Sequence, residues 1–376
     1  MNVEQQTSQT DTRKRERYRL QDAAAELLPD YRVRHCHRSI GCGCGELVSV
    51  VTNGQSANFK GVQTCGSVWH CPICSAKISN VRRGELNELL RWGRERELIP
   101  LMVTLTGHHN ARMSLAECLT VMKKAKQSLH QSGPWKRHVG PVVEGHVTAT
   151  EVNRSRRHGW HVHFHVLMLI EAASEAEAIA LVTRHLEPEW LRQLERQGSW
   201  GGEHALDVQG AADADRYVAK WGAAEELALS GEKRARGDAE IKGQTPWELL
   251  AAAADGDVQA GRDFVEYATL FHGKRQLVWS RGLKERVGLK VVEDDEAAGE
   301  LEDVADSAIN EVAVLPRPTW RHIVRRRLRA DLLAAARDDG FDGVARLLNE
   351  HGIGGAMPGG WRPMLSEYTE HIAMAA

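Results

Sequence analysis

No run of apolar residues in this 376-residue chain approaches the 18 or more that a membrane span needs, so no transmembrane anchor is expected. The order G-x-x-x-x-G-K-[S/T] is also missing, which excludes ATP hydrolysis through a phosphate loop. Charge of one sign is lacking too. Lys plus Arg number 49 against 51 Asp plus Glu, for a net charge of −2. A uniformly basic coat is thereby excluded, and any contact with nucleic acid must come from local patches. No secretory leader precedes the cysteines, so a cytoplasmic protein with reduced thiols is expected rather than a disulfide framework. Internal repeats are absent, and only five tyrosines occur. A reaction that uses a tyrosine therefore has few candidates.

What is present centres on Gly159-Trp160-His161-Val162-His163-Phe164-His165-Val166-Leu167. Side chains alternate across a β-strand. An extended backbone here puts His161, His163 and His165 on one face and Val162, Phe164 and Val166 on the other. Imidazoles two residues apart on a rigid strand can share a divalent metal ion. Upstream, Val147 to Val152 reads as a second strand, and the polar run Asn153 to Gly159 as the turn between them. A hairpin centred near Arg157 sets Glu151 opposite His163, on the same face. That expects a mixed nitrogen and oxygen site of Glu151, His163 and His165, with His161 as a further candidate. Such a set suits Mn²⁺ or Mg²⁺ with positions open for a phosphate.

His163-Phe164-His165 followed by Val166-Leu167 resembles the His-hydrophobic-His signature of the HUH single-strand DNA nickases. That superfamily includes rolling-circle replication initiators, conjugative relaxases and some transposases. Met102-Val103-Thr104-Leu105-Thr106, with His108 and His109 just beyond, resembles the first motif of that superfamily, a central strand. Asp213-Ala214-Asp215-Arg216-Tyr217-Val218-Ala219-Lys220-Trp221 resembles its Tyr-x-x-Lys-aromatic catalytic segment. The combination is most similar to single-tyrosine Rep proteins of rolling-circle plasmids, over roughly residues 36 to 285. The resemblance implies Tyr217 as nucleophile, with an acid, Asp213, four residues earlier. The residues support those roles independently. Residues 211–229 have helix-forming composition, which puts Asp213, Tyr217 and Lys220 at i, i+4 and i+7 on one face. A phenol with an ordinary pKa near 10 needs help to attack a phosphodiester, and a nearby Lys and a metal-polarised phosphate would supply it. Asp213 is expected to activate the second nucleophile.

Seven cysteines raise a second metal question. Cys71-Pro72-Ile73-Cys74 is a tight C-x-x-C knuckle with Cys65 just upstream, a spacing that suits tetrahedral structural Zn²⁺. The expected set is Cys36, Cys65, Cys71 and Cys74, with Cys42 or Cys44 as alternatives to Cys36. A hairpin turning at Asn53-Gly54 lies between them. Cys118 falls in a helical pattern and reads as a buried small hydrophobe.

Charge is unevenly spread. Arg154, Arg156 and Arg157 crowd the turn beside the histidine strand, where a DNA backbone would pass. Glu293 to Asp306 is densely acidic and reads as a linker. Beyond it, Trp320 to Arg329 opens an Arg-rich helical stretch, either a helix-turn-helix-like element or a solvated surface. Trp247 to Ala268 reads as helix, and Arg275 to Ser280 as a further strand.

The expected fold is α/β of the α+β type. An HUH nuclease core with a central antiparallel sheet flanked by helices would carry an N-terminal zinc-binding segment and a helical C-terminal region. The expected divisions are a disordered or extended tail over 1–30, a zinc segment over 31–84 and the nuclease domain over 85–290. An acidic linker over 291–316 and a helical module over 317–376 would follow. The expected activity is nicking of single-stranded origin DNA, leaving a 5′-phosphotyrosine link and a free 3′-hydroxyl primer, with later rejoining. Its partners would be single- and double-stranded origin DNA and a host helicase and DNA polymerase, with no membrane. An HUH transposase or relaxase is one alternative, and a non-catalytic zinc-stabilised DNA-binding regulator is another.

Overall fold

The computed structural model describes residues 3–41, 46–219, 243–299 and 310–359. The chain divides into two compact units, one drawn from both ends of the sequence and one from its middle.

The first unit takes residues 1–78 and 293–376. Where a disordered or extended tail is expected over 1–30, helix α1 spans Val3–Leu27. The reason lies far away in sequence. Asp11 pairs with Arg337, and Asp22 accepts from Arg329 Nη2 at 2.5 Å. Tyr18, Leu20 and Ala24 are buried on the same helix. Arg329 is fully buried, donates also to Gln21 Oε1 and the His37 carbonyl, and lies over the Tyr18 ring. A guanidinium in that position needs these partners, because an unpaired buried charge is costly.

The strands β1 (Leu47–Thr52) and β2 (Ala57–Lys60) form the expected hairpin. Asn53 Oδ1 accepts from the Gln55 and Ser56 amides across the turn. The other edge of β1 pairs with strand Asn310–Pro316, which pairs in turn with Met357–Pro358. Of the linker expected over 291–316 and the module expected over 317–376, residues 300–309 and 360–376 lie outside the described residues, whereas 310–316 form a strand of this unit. Residues 310–316 close the open edge of β1, an edge that would otherwise present unpaired backbone groups. Helices Arg317–Arg325 and Arg329–Glu350 bury Trp320, Ile323, Leu332 and Leu333 in this same unit.

The second unit holds most of the remainder, 79–292. Most of helix α2 (Pro72–Arg94), from Ser79 on, belongs to it. Five strands follow the order β6-β3-β5-β4-β7, and every pairing is antiparallel. They are β3 (Ile99–Leu105), β4 (Val143–Ser155), β5 (Gly159–Ile170), β6 (Leu206–Gln209) and β7 (Leu277–Trp279). The histidine strand β5 therefore lies in the middle, as expected. Leu86, Leu89 and Leu90 of α2 and Ala214 and Val218 of α5 (Ala211–Ala219) pack with Ala149, Leu167 and Leu169 on one face. Helices α3 (Leu115–Gln131) and α4 (Glu175–Arg196) pack together, α3 against β5 and α4 against β3, with Cys118 buried as expected. The helix expected over 247–268 is two helices, Pro246–Ala254 and Val258–Phe271, because Gly256 turns at φ +98 between them.

Candidate metal centres and a tyrosine beside one of them

The β4–β5 hairpin has the register the alternation requires. Glu151 pairs with His163 and Asn153 with His161, around a turn at Arg156 to His158. Gly159 closes that turn at φ +81, and a Cβ there would lie 2.6 Å from the Asn110 carbonyl oxygen, so only glycine fits without displacement.

On the β5 face that carries Leu167 and Leu169, the apolar layer gives way to His165 and His163. Glu151 arrives beside them from β4. His163 Nε2 and His165 Nε2 stand 3.1 and 3.2 Å from the same oxygen, Glu151 Oε2. Glu151, His163 and His165 together form a group able to hold one metal ion. Partial burial raises the Glu151 carboxyl, but its hydrogen bonds with His163 and His165 outweigh that and hold it well below the ordinary carboxylate range. His163 Nδ1 is buried without a partner, whereas His165 Nδ1 meets Thr104 Oγ1 at 3.1 Å. Thr104 sits directly opposite His165 across β3. It holds that ring with Nε2 toward Glu151, which is how ligating imidazoles are oriented.

Tyr217 completes the cluster. Its hydroxyl donates to the second Glu151 oxygen, Oε1, at 3.0 Å, and its ring lies 4.8 Å from the His165 ring. Burial and then the Glu151 charge push the phenol well above the ordinary tyrosine range.

Other expected site residues fall elsewhere. His161 lies outside the three-residue group and stacks on His109 at 4.4 Å. Burial, with His163 and His109 close by, brings its imidazole down to about 3. Asp213 pairs with Arg216 at 2.7 Å on α5, and Lys220 lies outside the described residues. Arg154 turns inward, with Nε 3.3 Å from Asp263 and its guanidinium over Trp160. Arg156 pairs with Asp257 at the surface, and Arg157 is exposed. The positioning role of Thr104 was not anticipated, although its place in the Met102–Thr106 strand was the signal that held it.

In the first unit, Cys36, Cys65, Cys71 and Cys74 are buried and form the second group able to hold a metal ion. Cys36 Sγ lies 3.5 Å from those of Cys71 and Cys74, and Cys65 Sγ 3.6 Å from that of Cys74. These are too long for disulfides. Zinc–thiolate bonds of about 2.3 Å imply a tetrahedral edge of about 3.8 Å, close to what is seen. Burial and then the neighbouring sulfurs push the Cys71 thiol well up, and a cation bound among them would favour the thiolate. Cys42 and Cys44 lie outside the described residues.

The profile of a family described as "Replication protein" matches residues 57–327. The chain belongs to that replication protein family. A relative from Streptomyces lividans named "Protein rep" is 25% identical over 371 aligned residues, covering 80% of each chain. No solved structure matches. The replication protein match spans Cys65, Cys71, Cys74, Glu151, His163, His165 and Tyr217, and Cys36 precedes it. Membership supports a role in initiating plasmid replication. Among the described residues, no helix is long and apolar enough to cross a membrane.

Proposed function

We propose that this replication protein is a metal-dependent single-strand DNA endonuclease of the HUH type, which starts rolling-circle plasmid replication by nicking the origin. The observation that carries this reading is the 3.0 Å hydrogen bond from Tyr217 to Glu151, within the Glu151–His163–His165 group. It puts the hydroxyl of one of five tyrosines beside three ligand-competent side chains.

Glu151, His163 and His165 would hold Mn²⁺ or Mg²⁺, a fit supported by a charged carboxylate whose one oxygen meets the Nε2 atoms of both imidazoles. A divalent ion there supplies positive charge for the scissile phosphate and lowers the cost of ionising a neighbouring phenol. Tyr217 Oη then attacks phosphorus. A Tyr–O–P bond forms as the P–O3′ bond breaks. The phenol proton leaves to solvent, and the 3′ oxygen takes one up from solvent. The products are a 5′-phosphotyrosine and a free 3′-hydroxyl primer. Asp213, one turn before Tyr217, is proposed to activate the second nucleophile at termination, when the strand is rejoined, once its pair with Arg216 opens. Lys220 is proposed to assist Tyr217. Arg156 and Arg157 would meet the DNA backbone.

Cys36, Cys65, Cys71 and Cys74 are proposed to hold Zn²⁺ as a structural ion. Without a phosphate loop in the sequence, a host helicase and polymerase would complete replication in the cytoplasm. The test is incubation of the protein with single-stranded origin DNA and Mn²⁺, in parallel with Tyr217→Phe. The parent is expected to cleave and become covalently joined to DNA, and the variant to bind without an adduct. A variant that forms adducts as fast as the parent removes Tyr217 from the reaction. A folded parent that binds origin DNA and never cleaves favours the regulator reading.

A further inference from the structure

Next to the histidine row, the second unit contains a cavity of about 580 Å³, a volume suited to a small organic group rather than an ion. Its walls come from the segment after β3, the ends of β4 and β5, and the loop between α4 and β6. Two aromatic pairs line it. Trp200 stacks on His108 with ring centroids 4.4 Å apart and planes 17° from parallel, and His109 stacks on His161 at 4.4 Å and 14°. Trp200 is 56% exposed, which is unusual for so large an apolar side chain.

The loop that carries Trp200 is stitched in place. The His108 amide donates to the Trp200 carbonyl and the Thr106 amide to the Ala205 carbonyl, each at 2.8 Å. The cavity is therefore formed in advance of any occupant. Among the described residues, no Lys or Arg lines it and Glu203 does, so what the described walls offer is aromatic and polar rather than cationic. Flat π faces with polar imidazole and amide edges between them suit an unpaired nucleobase.

His161 ties this cavity to the reaction centre, because it lines one wall while its ring lies 5.1 Å from that of His163. We propose that the cavity bounded by Trp200, His108, His109 and His161 is a subsite that takes an unpaired base of the DNA strand next to the scissile phosphate. This rests on the nicking function proposed above and deepens it. The metal group would grip the phosphate, and the aromatic walls would fix which nucleotide stands beside it. Trp200 and His108 then act as binding and positioning residues, and neither touches the reacting atoms.

The test compares binding of a 20-nucleotide thymidine strand with that of a 20-unit abasic strand of equal charge, at one salt concentration and without metal. Parent, Trp200→Ala, His108→Ala and Trp200→Phe are measured together with their melting temperatures. Stacking of one base on an aromatic side chain converts to about a tenfold change in Kd. The parent is expected to prefer the thymidine strand by at least that factor. Trp200→Ala should lose about tenfold of the preference at unchanged melting temperature, His108→Ala somewhat less, and Trp200→Phe should keep most of it. Nicking of origin DNA with Mn²⁺ is assayed on the same proteins. A base preference that disappears in Trp200→Ala supports the subsite whether or not the parent nicks. A parent that nicks but binds both strands equally overturns the subsite and leaves the nuclease reading standing, as does a Trp200→Ala variant with the full preference. A parent that neither nicks nor prefers bases overturns both.

Discussion

The two metal-competent groups of this protein differ in nearly every physical respect. The cysteine group has four soft thiol side chains, all buried, with Cys36 Sγ 3.5 Å from those of Cys71 and Cys74 and Cys65 Sγ 3.6 Å from that of Cys74. The Glu151 group has three hard or borderline ligands, and the Glu151 side chain keeps 43% exposure. Four closed thiolates saturate a tetrahedral ion and leave no position for a substrate, whereas three ligands with an open side leave room for a phosphate. The neighbours differ in the same sense. Among the described residues, only the open group has a tyrosine hydroxyl, that of Tyr217, hydrogen-bonded to one of its members, Glu151. Closure belongs with folding and openness with chemistry.

The largest effect should come from the open group. His163→Ala or His165→Ala is expected to cut nicking by about 10³-fold, since a Lewis-acid contribution of several kcal/mol converts at about 1.4 kcal/mol per decade. Melting temperature should barely change, because both imidazoles lie at the end of the apolar layer. EDTA should do the same to the parent, reversibly with Mn²⁺. Nicking that persists in fully chelated protein would break the comparison at its first point.

The closed group should answer the other way. Cys71→Ser combined with Cys74→Ser is expected to abolish about one tightly held zinc per chain and lower stability by several kcal/mol. Elemental analysis and thermal melting check this. Protein purified without zinc, in which the double variant melts with the parent, would mean that the four thiols are merely buried.

Glu151→Gln should have a smaller effect than loss of a histidine, since water can replace one oxygen ligand. The Mn²⁺ concentration for half-maximal nicking should rise about tenfold. An unchanged Mn²⁺ titration would remove Glu151 from the group.

The smallest effect separates acid unfolding from metal loss. Burial, with His130 and Lys126 nearby, brings His146 down to about 3. A depressed histidine favours the fold while neutral in both states, and this contribution fades as pH falls from about 6.5 toward 3. Stability should therefore fall over that window, by no more than about 1.4 kcal/mol per pH unit from this one group, and the melting temperature should fall with it. His146→Gln should flatten the drop without altering Mn²⁺ dependence at neutral pH. A variant with the parent's pH profile would show that His146 ionises freely in the fold.

Much of the open group was legible because its parts are local. The two-residue period of β4 and β5 and the polar turn at Arg156 to His158 together dictate the Glu151–His163 register. A one-residue slip would turn every one of those side chains to the other face. The tyrosine helix was legible from composition and spacing. The sequence also selected Cys36, 29 residues before Cys65, from a region with two other cysteines. Contacts between distant segments were not legible. Nothing near Asn310–Pro316 announces that it will pair with β1, more than 250 residues earlier. The helix α1 looks polar and tail-like until Arg329 and Arg337 are seen to engage Asp22 and Asp11. The pair of Arg154 with Asp263 was not legible either, because the two lie over a hundred residues apart. Trp200 carried no signal at all, because its meaning depends on His108 arriving beside it from β3.

The central claim is that Tyr217 attacks DNA at the Glu151, His163 and His165 group. The most direct measurement is mass-spectrometric mapping of the peptide left joined to DNA after incubation with a single-stranded origin oligonucleotide and Mn²⁺, followed by nuclease and protease digestion. The account predicts one modified peptide, containing Tyr217, with a 5′-phosphate on its phenol oxygen and no adduct when Mn²⁺ is withheld. An adduct mapped to Tyr18, Tyr31 or Tyr267, or one formed equally well without metal, would contradict it.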